Sequence, residues 1–304
     1  MKIAYLVFAY KNPKLLGRII ERLSCDDSSF FIHIDAKSNL DDFAAIKGSN
    51  IFFTGKRVPV HWAEFSGIEA ILILLREALA HPRPLEYFVL LSGSEYPLKS
   101  REYIHRFLQE NRGAEFMSSV KMPSPEAGKP LSRINTLRFP SDRPVARFVF
   151  KILAKFGLAR RDYRRHLGEL EPYGGTTWWA LSRDACEYAS DFAASHPRVV
   201  AFFKNTFAPE EAFFHTILGN SPFRARMRRN LLFEDWSVPG GHPQMISEKH
   251  LASFDARARV MVEDAYGPGE VLFARKFSDD NLGLLQRMDD MTRLAQGGTT
   301  HSRD

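Results

Sequence analysis

Two adjacent glutamates stand in Phe207-Ala208-Pro209-Glu210-Glu211-Ala212-Phe213-Phe214-His215-Thr216, where Pro209 can open a helix that carries both carboxylates in its first turn. Acids at a helix N-terminus complement its dipole, which is explanation enough for Glu210. One of the two must face inward among Phe207, Phe213 and Phe214. Desolvation there raises a carboxylate's pKa toward what a general base needs, and Glu211 is the better candidate. A second signal is Val271-Leu272-Phe273-Ala274-Arg275-Lys276-Phe277, in which two cations interrupt an apolar, strand-like stretch. Burying them is unfavourable unless an anion compensates. A phosphate or diphosphate would do so, and the pair could stabilise a leaving group without a metal. Snorkelling surface cations are the alternative.

Two strand ends complete the set. Phe31-Ile32-His33-Ile34-Asp35 ends an apolar run in a carboxylate, where an open α/β sheet holds ribose hydroxyls or a base edge. Alternatively, Asp35 caps a turn beside Lys37. Leu90-Leu91-Ser92-Gly93-Ser94-Glu95-Tyr96-Pro97-Leu98-Lys99 stops at a small-residue turn that admits close ligand approach and presents Glu95 and Lys99. A plain strand-to-helix turn would read the same way. GxGxxG, Walker A, GxSxG and HExxH motifs do not occur, so P-loop and nucleophilic-hydrolase chemistry lose support.

The spacing of apolar residues supplies a scaffold. Ile3 to Tyr10 reads as a strand covered on both faces, and Asn12 is placed to cap a helix starting at Pro13 with Leu15, Leu16, Ile19, Ile20 and Leu23 on one side. Strands follow at Phe30–Ile34, Ile51–Phe53 and Tyr87–Leu91, with a helix over Ser66–Ala80 between the last two. This order predicts a mostly parallel, doubly wound sheet with ligands at the carboxyl ends of its strands. Further along, Trp178–Leu181 and Leu231–Asp235 read as strands. Arg183–Ala193, Val199–Asn205, Ala208–Leu218 and Ser247–Phe254 read as helices, and the polar chain after Leu285 is expected to fray.

With 304 residues, 44% of them hydrophobic, the chain can bury one large α/β domain. The expected division is a single domain over 1–290, with a nucleotide-binding half (about 1–120), an irregular basic and aromatic insertion (121–175) and an acceptor or catalytic half (176–290), then a disordered tail (291–304). A net charge of +6, built from 42 basic and 36 acidic residues, favours an anionic ligand or membrane surface; nucleic acid is not the expected partner. Two cysteines, Cys25 and Cys186, cannot form a disulfide scaffold, and a cytoplasmic location fits them. No run of about 18 apolar residues is present to cross a bilayer. The insertion carries Arg143, Arg147, Lys151, Lys155, Arg160, Arg161, Arg164 and Arg165 among phenylalanines. A helix over 144–157 suits either a core-facing role or a contact surface, for the acceptor or, peripherally, for the inner membrane face.

Taken in order, these segments resemble the core-2/I-branching enzyme family, which contains β-1,6-N-acetylglucosaminyltransferases and peptide O-xylosyltransferases. The likeness covers roughly residues 3 to 288. It also draws on Val60-His61-Trp62, Gly175-Thr176-Thr177-Trp178-Trp179-Ala180-Leu181 and Phe233-Glu234-Asp235-Trp236. It implies a GT-A type glycosyltransferase fold with a Rossmann-like, mostly parallel sheet flanked by helices. It further implies an inverting transfer from a UDP-sugar, with GlcNAc or xylose favoured, that needs no divalent metal, no cofactor and no DxD motif. The resemblance places the catalytic carboxylate on Glu211. Nucleotide contacts map to Phe8 or Ala9, Asp35 and the turn Val60-His61-Trp62, and the diphosphate-neutralising pair maps to Arg275 and Lys276. Ser94 and Glu95 match the sugar-binding turn. Trp236 matches an acceptor-site tryptophan, with Lys99 and Trp178 expected beside it. Two positions depart from the family: Gln244 stands where branching enzymes carry an arginine, and Thr177 where xylosyltransferases carry an acid. Backbone N–H groups of Gly240-Gly241 are expected to take over part of the diphosphate binding.

Two other classes compete. A noncatalytic nucleotide-sugar or polyanion-binding module would use the cationic 143–165 surface. A nucleotidyl or phosphoryl transferase would need convergent metal-binding carboxylates, for which Asp279-Asp280 and Asp289-Asp290 are the available pairs.

Overall fold

In a computed structural model, which describes residues 1–139, 144–157, 159–254 and 258–297, the buried run near the N-terminus forms the central strand β1 (Ile3–Ala9). Helix α1 (Pro13–Leu23) buries the five predicted residues. Asn12 does not cap it: its backbone is left-handed, and its side chain accepts nothing from the helix. The helix start is held instead from across the chain, where Asp279 Oδ1 accepts the Leu15 N–H at 2.8 Å. β2 (Ser28–Ile34), β3 (Ile51–Phe53), α2 (Ser66–Leu79) and β4 (Tyr87–Ser92) follow close to the predicted bounds.

The next elements are ones the periodicity does not single out: β5 (Glu95–Pro97), α3 (Arg101–Glu110) and β6 (Glu115–Lys121). The Pro-rich insertion holds short pieces, α4 (Ser132–Asn135), α5 (Pro144–Lys155) and α6 (Arg164–Leu167). Arg143, at its start, lies outside the described residues. Then come β7 (Tyr173–Ser182), α7 (Arg183–Ser195), α8 (Pro197–Phe203), α9 (Phe213–Gly219), β8 (Met227–Arg228) and β9 (Leu232–Glu234). The chain closes with α10 (Glu248–Leu251), β10 (Met261–Asp264), β11 (Gly267–Glu270), β12 (Phe273–Arg275) and α11 (Leu282–Gly297).

The main sheet has the order β3-β2-β1-β4-β7-β6-β8. Its first four strands run parallel, β7 is antiparallel to both β4 and β6, and β8 is again parallel to β6. This is the expected α/β, Rossmann-like, mostly parallel sheet flanked by helices. The chain runs outward from β1 to β3 and returns to β4, so strand order reverses between β1 and β4, where such sheets leave a crevice. The two expected halves share this one sheet, joined where β4 and β6 pair with β7 and where β6 pairs with β8. A smaller sheet, β5-β12-β9, stands beside it, and β10-β11 form a hairpin.

The expected frayed tail is corrected in part. α11 continues to Gly297 because it has something to bury: Leu285 and Met288 are in the core, and Asp289 is held by Arg18 at 2.7 Å, Arg22 at 2.9 Å and the Tyr96 hydroxyl at 2.7 Å. Residues 298–304 lie outside the described part. Of the carboxylate pairs considered for metal, Asp279 serves α1 and Asp289 serves this arginine pair.

Candidate active site

A cleft of about 1390 Å³ opens at the carboxyl ends of β1, β2 and β4. Phe8 and Ala9 line it from β1, His33 and Asp35 from β2, and Ser92, Gly93 and Ser94 from the turn after β4. The strand ends come close: a Cβ on Gly93 would lie 3.1 Å from that of Ala9. Asp35 accepts the Lys37 N–H at 2.9 Å and faces its ammonium at 3.5 Å. His33 is buried between Thr54 and the Val58 N–H, and that burial pushes its pKa down.

The small sheet supplies the next wall. Its register sets Arg275 on β12 opposite Glu95 on β5 and Glu234 on β9, so one cation lies between two carboxylates at 2.6 and 3.5 Å. The Arg275 guanidinium also lies over the Trp178 ring at 4.5 Å, and Trp178 stacks on Phe8 at 5.6 Å. Burial, with the neighbouring Glu95 charge, raises the Glu234 pKa. Lys276 is half-buried; burial first, and then the charges of Arg275 and Lys11, lower its pKa.

The facing wall holds the glutamate pair. Its start is tied to the Trp62 loop by the Ala208 N–H, which donates to the Ala63 carbonyl at 3.0 Å. Both alanines are left-handed, at φ 46° and 58°, a conformation that non-glycine residues hold only when their surroundings enforce it. The predicted helix over 208–218 is broken here. Pro209–Glu211 is a 3₁₀ turn, Ala212 departs from helical geometry at φ −139°, and α9 starts afresh at Phe213. Successive side chains of a 3₁₀ turn point about 120° apart, so the two carboxylates part company.

Which one loses its water is the reverse of the sequence expectation. Glu210 carries a buried Oε2 with no hydrogen-bond partner, and burial, helped by the Glu211 charge, raises its pKa to about 7. Glu211 accepts from Lys129 and, at 2.7 Å, from Arg133. Both bonds fall on Oε2. Lys129 is itself buried, which lowers its pKa.

Phe8, Ala9, Asp35, Val60, His61, Trp62, Ser94, Trp178, Glu211, Trp236, Gly241, Arg275 and Lys276 therefore share one cleft. Glu95 and Lys99 do not line it. Glu95 stands behind Arg275, accepting also from the Ser92 N–H at 2.6 Å, while Lys99 is buried with its ammonium on the Ala258 carbonyl and over the Tyr103 ring. Lys129, Arg133, Glu234 and Tyr266 line the cleft without having been singled out in the sequence. The available signal for the first two was their spacing of four residues across Pro130. Among the described residues, no group of three or more His, Cys, Asp or Glu converges as a metal site.

Residues 3–256 match the family model described as Core-2/I-Branching enzyme. The chain belongs to this family of glycosyltransferases. Among curated relatives of this core-2/I-branching chain, xylosyltransferase 1 of Rattus norvegicus is 25% identical over 253 residues, covering 78% of this chain and 28% of that protein. Xylosyltransferase 1 of Homo sapiens is 26% identical over 246 residues, covering 78% and 24%. Xylosyltransferase 2 of Rattus norvegicus is 25% identical over 247, covering 78% and 27%. The chain thus spans about a quarter of the length of these relatives. Among solved structures, apo mouse xyloside xylosyltransferase 1 aligns at 9% identity and a TM-score of 0.37, over 90% of this chain and 97% of that one.

Proposed function

We propose that the protein is an inverting glycosyltransferase that moves a sugar, GlcNAc or xylose first among the options, from UDP to a hydroxyl of a glycan or other acceptor without a divalent metal. The observation that carries this reading is the placement of Glu211. Its two cation bonds share Oε2, so Oε1 is left for a substrate hydroxyl in the same cleft as Asp35, Arg275 and Lys276. In the step, Glu211 Oε1 takes the acceptor proton and the acceptor oxygen bonds to the sugar C1 from the face opposite the diphosphate. The C1–O bond to the diphosphate breaks, UDP leaves with the electron pair, and configuration inverts. Lys276 and Arg275 meet the developing charge, and Asp35 and Phe8 hold the nucleoside.

A screen of UDP-GlcNAc, UDP-xylose, UDP-glucose and UDP-galactose by thermal shift and by acceptor-free hydrolysis, each with and without EDTA, tests it. One UDP-sugar should both raise the melting temperature and be hydrolysed, with EDTA leaving both unchanged. Stabilisation without turnover would return the noncatalytic binding module. Loss of turnover in EDTA would remove the metal-free mechanism.

A further inference from the structure

We infer that the outward face of α5 is a docking surface for an anionic lipid bilayer. Val145, Phe148 and Ile152 on the helix and Phe156 just past its end are 75%, 66%, 45% and 71% exposed. At 100° per residue these positions fall within about 80° of arc, along roughly 16 Å of helix. Exposed Tyr10, Trp62 and Trp236 line the cleft, whereas none of these four side chains does. Large apolar side chains gathered on one exposed stripe mark an interaction surface.

Charge selects the occupant. Lys155 on α5 is exposed, and so are Arg138, Arg160, Arg164 and Arg165 on the segments that flank α5 in sequence, against the acids Asp162 and Glu169, on a chain of net charge +6. A second copy meeting the stripe face to face would oppose the same cations to themselves, whereas an anionic membrane complements them. Arg161 takes no part: its guanidinium bonds the Ile134 and Phe202 carbonyls and lies 3.9 Å over the Phe202 ring. No helix of the described residues is long and apolar enough to cross a membrane, so the contact lies in the interface plane.

The opposite face of α5, about 160° round from the stripe, leads toward the cleft. Phe150 of α5 meets Phe139 edge-on at 5.9 Å, the adjoining Arg138 lies 4.9 Å over the Phe207 ring, and Phe207 meets the cleft residue Trp62 at 5.8 Å.

Co-sedimentation of the full chain with vesicles, in the absence of any sugar donor, tests this independently of the transfer chemistry. The wild type should bind phosphatidylcholine vesicles containing about one-third phosphatidylglycerol at least tenfold more tightly than phosphatidylcholine alone, with added salt weakening the binding. Phe148→Glu with Phe156→Glu should lower that binding about tenfold or more at an unchanged melting temperature, since both side chains are exposed. Arg160→Glu with Arg164→Glu should lower it on the anionic vesicles only. Failure of the wild type to sediment with anionic vesicles, or undiminished binding by the double Phe variant, would overturn the proposal. A wild-type dimer that Phe148→Glu dissociates, without vesicle binding, would assign the face to a second copy.

Discussion

Arg275 lies between two glutamates on one wall of the cleft, and Glu211 lies between two cations on the other. The two clusters invert each other in charge and in construction. The Arg275 cluster is a rung across three paired strands, so adjacent backbones set its geometry. The Glu211 cluster joins a 3₁₀ turn to the Ser124–Lys129 bridge and α4, segments some 80 residues apart in sequence. A cation in the cleft is therefore not automatically a free cation. Arg275 is already offset by more negative charge than it carries, whereas Lys276 and Lys11 have no ion pair among the described residues. The Glu211 side keeps a surplus of positive charge.

Predictions that break or sharpen this contrast begin with Arg275 itself. Arg275→Met strands the fully buried Glu95, and an unpaired buried charge costs about 3–5 kcal/mol in unfolding experiments. Adding Glu95→Gln should recover much of the loss; a single variant as stable as wild type would show that the rung is not a structural pair.

Glu211→Gln should lower turnover about 100-fold or more while UDP binding persists. Near-normal turnover would move the proton-accepting role elsewhere in the cleft, with Glu210 the first place to look.

Glu210 predicts a pH effect of defined sign. Its folded pKa of about 7 lies above the ordinary 4.5, so the native state binds the proton more tightly. The linked stability is complete below pH 4.5 and is lost as pH rises through 7. Glu210→Gln, permanently neutral, should therefore be more stable than wild type by about 3 kcal/mol at pH 8, with no difference near pH 4. A pH-independent difference between the two denaturation series would contradict the desolvation.

Lys276→Ala should weaken UDP binding about tenfold by calorimetry with little change in melting temperature, because no carboxylate among the described residues pairs with it. Smallest of all, Arg133→Ala should cost about 1 kcal/mol or less, since Lys129 still satisfies Glu211. An effect as large as that of Arg275→Met would erase the distinction between the two clusters.

How much could be read in advance follows the range of the interaction. The apolar run of β1, the stripe of α1 and the carboxylate closing β2 are local patterns, and each stands where it was expected. The caps and partners are not local. Asn12 has the right residue type for a cap, yet the bond to α1 comes from Asp279, whose position depends on how α11 packs. Lys99 follows a ligand-approachable turn but points into the protein, because the small sheet turns β5 away from the cleft. Glu210 and Glu211 are the sharpest case: they are neighbours in one turn, and the segments packed around it, with Lys129 and Arg133 reaching only Glu211, decide which of them loses its water.

The amino-acid sequence by itself determined the order of the first strands and helices, from β1 to β4, and the carboxyl-end location of the cleft. It did so because hydrophobic period and strand termini are encoded within a few residues. Tertiary structure alone decided which glutamate loses its water, which cations are already paired and where Lys129 and Arg133 arrive. Those outcomes depend on cross-strand register and on contacts between segments that no local pattern relates.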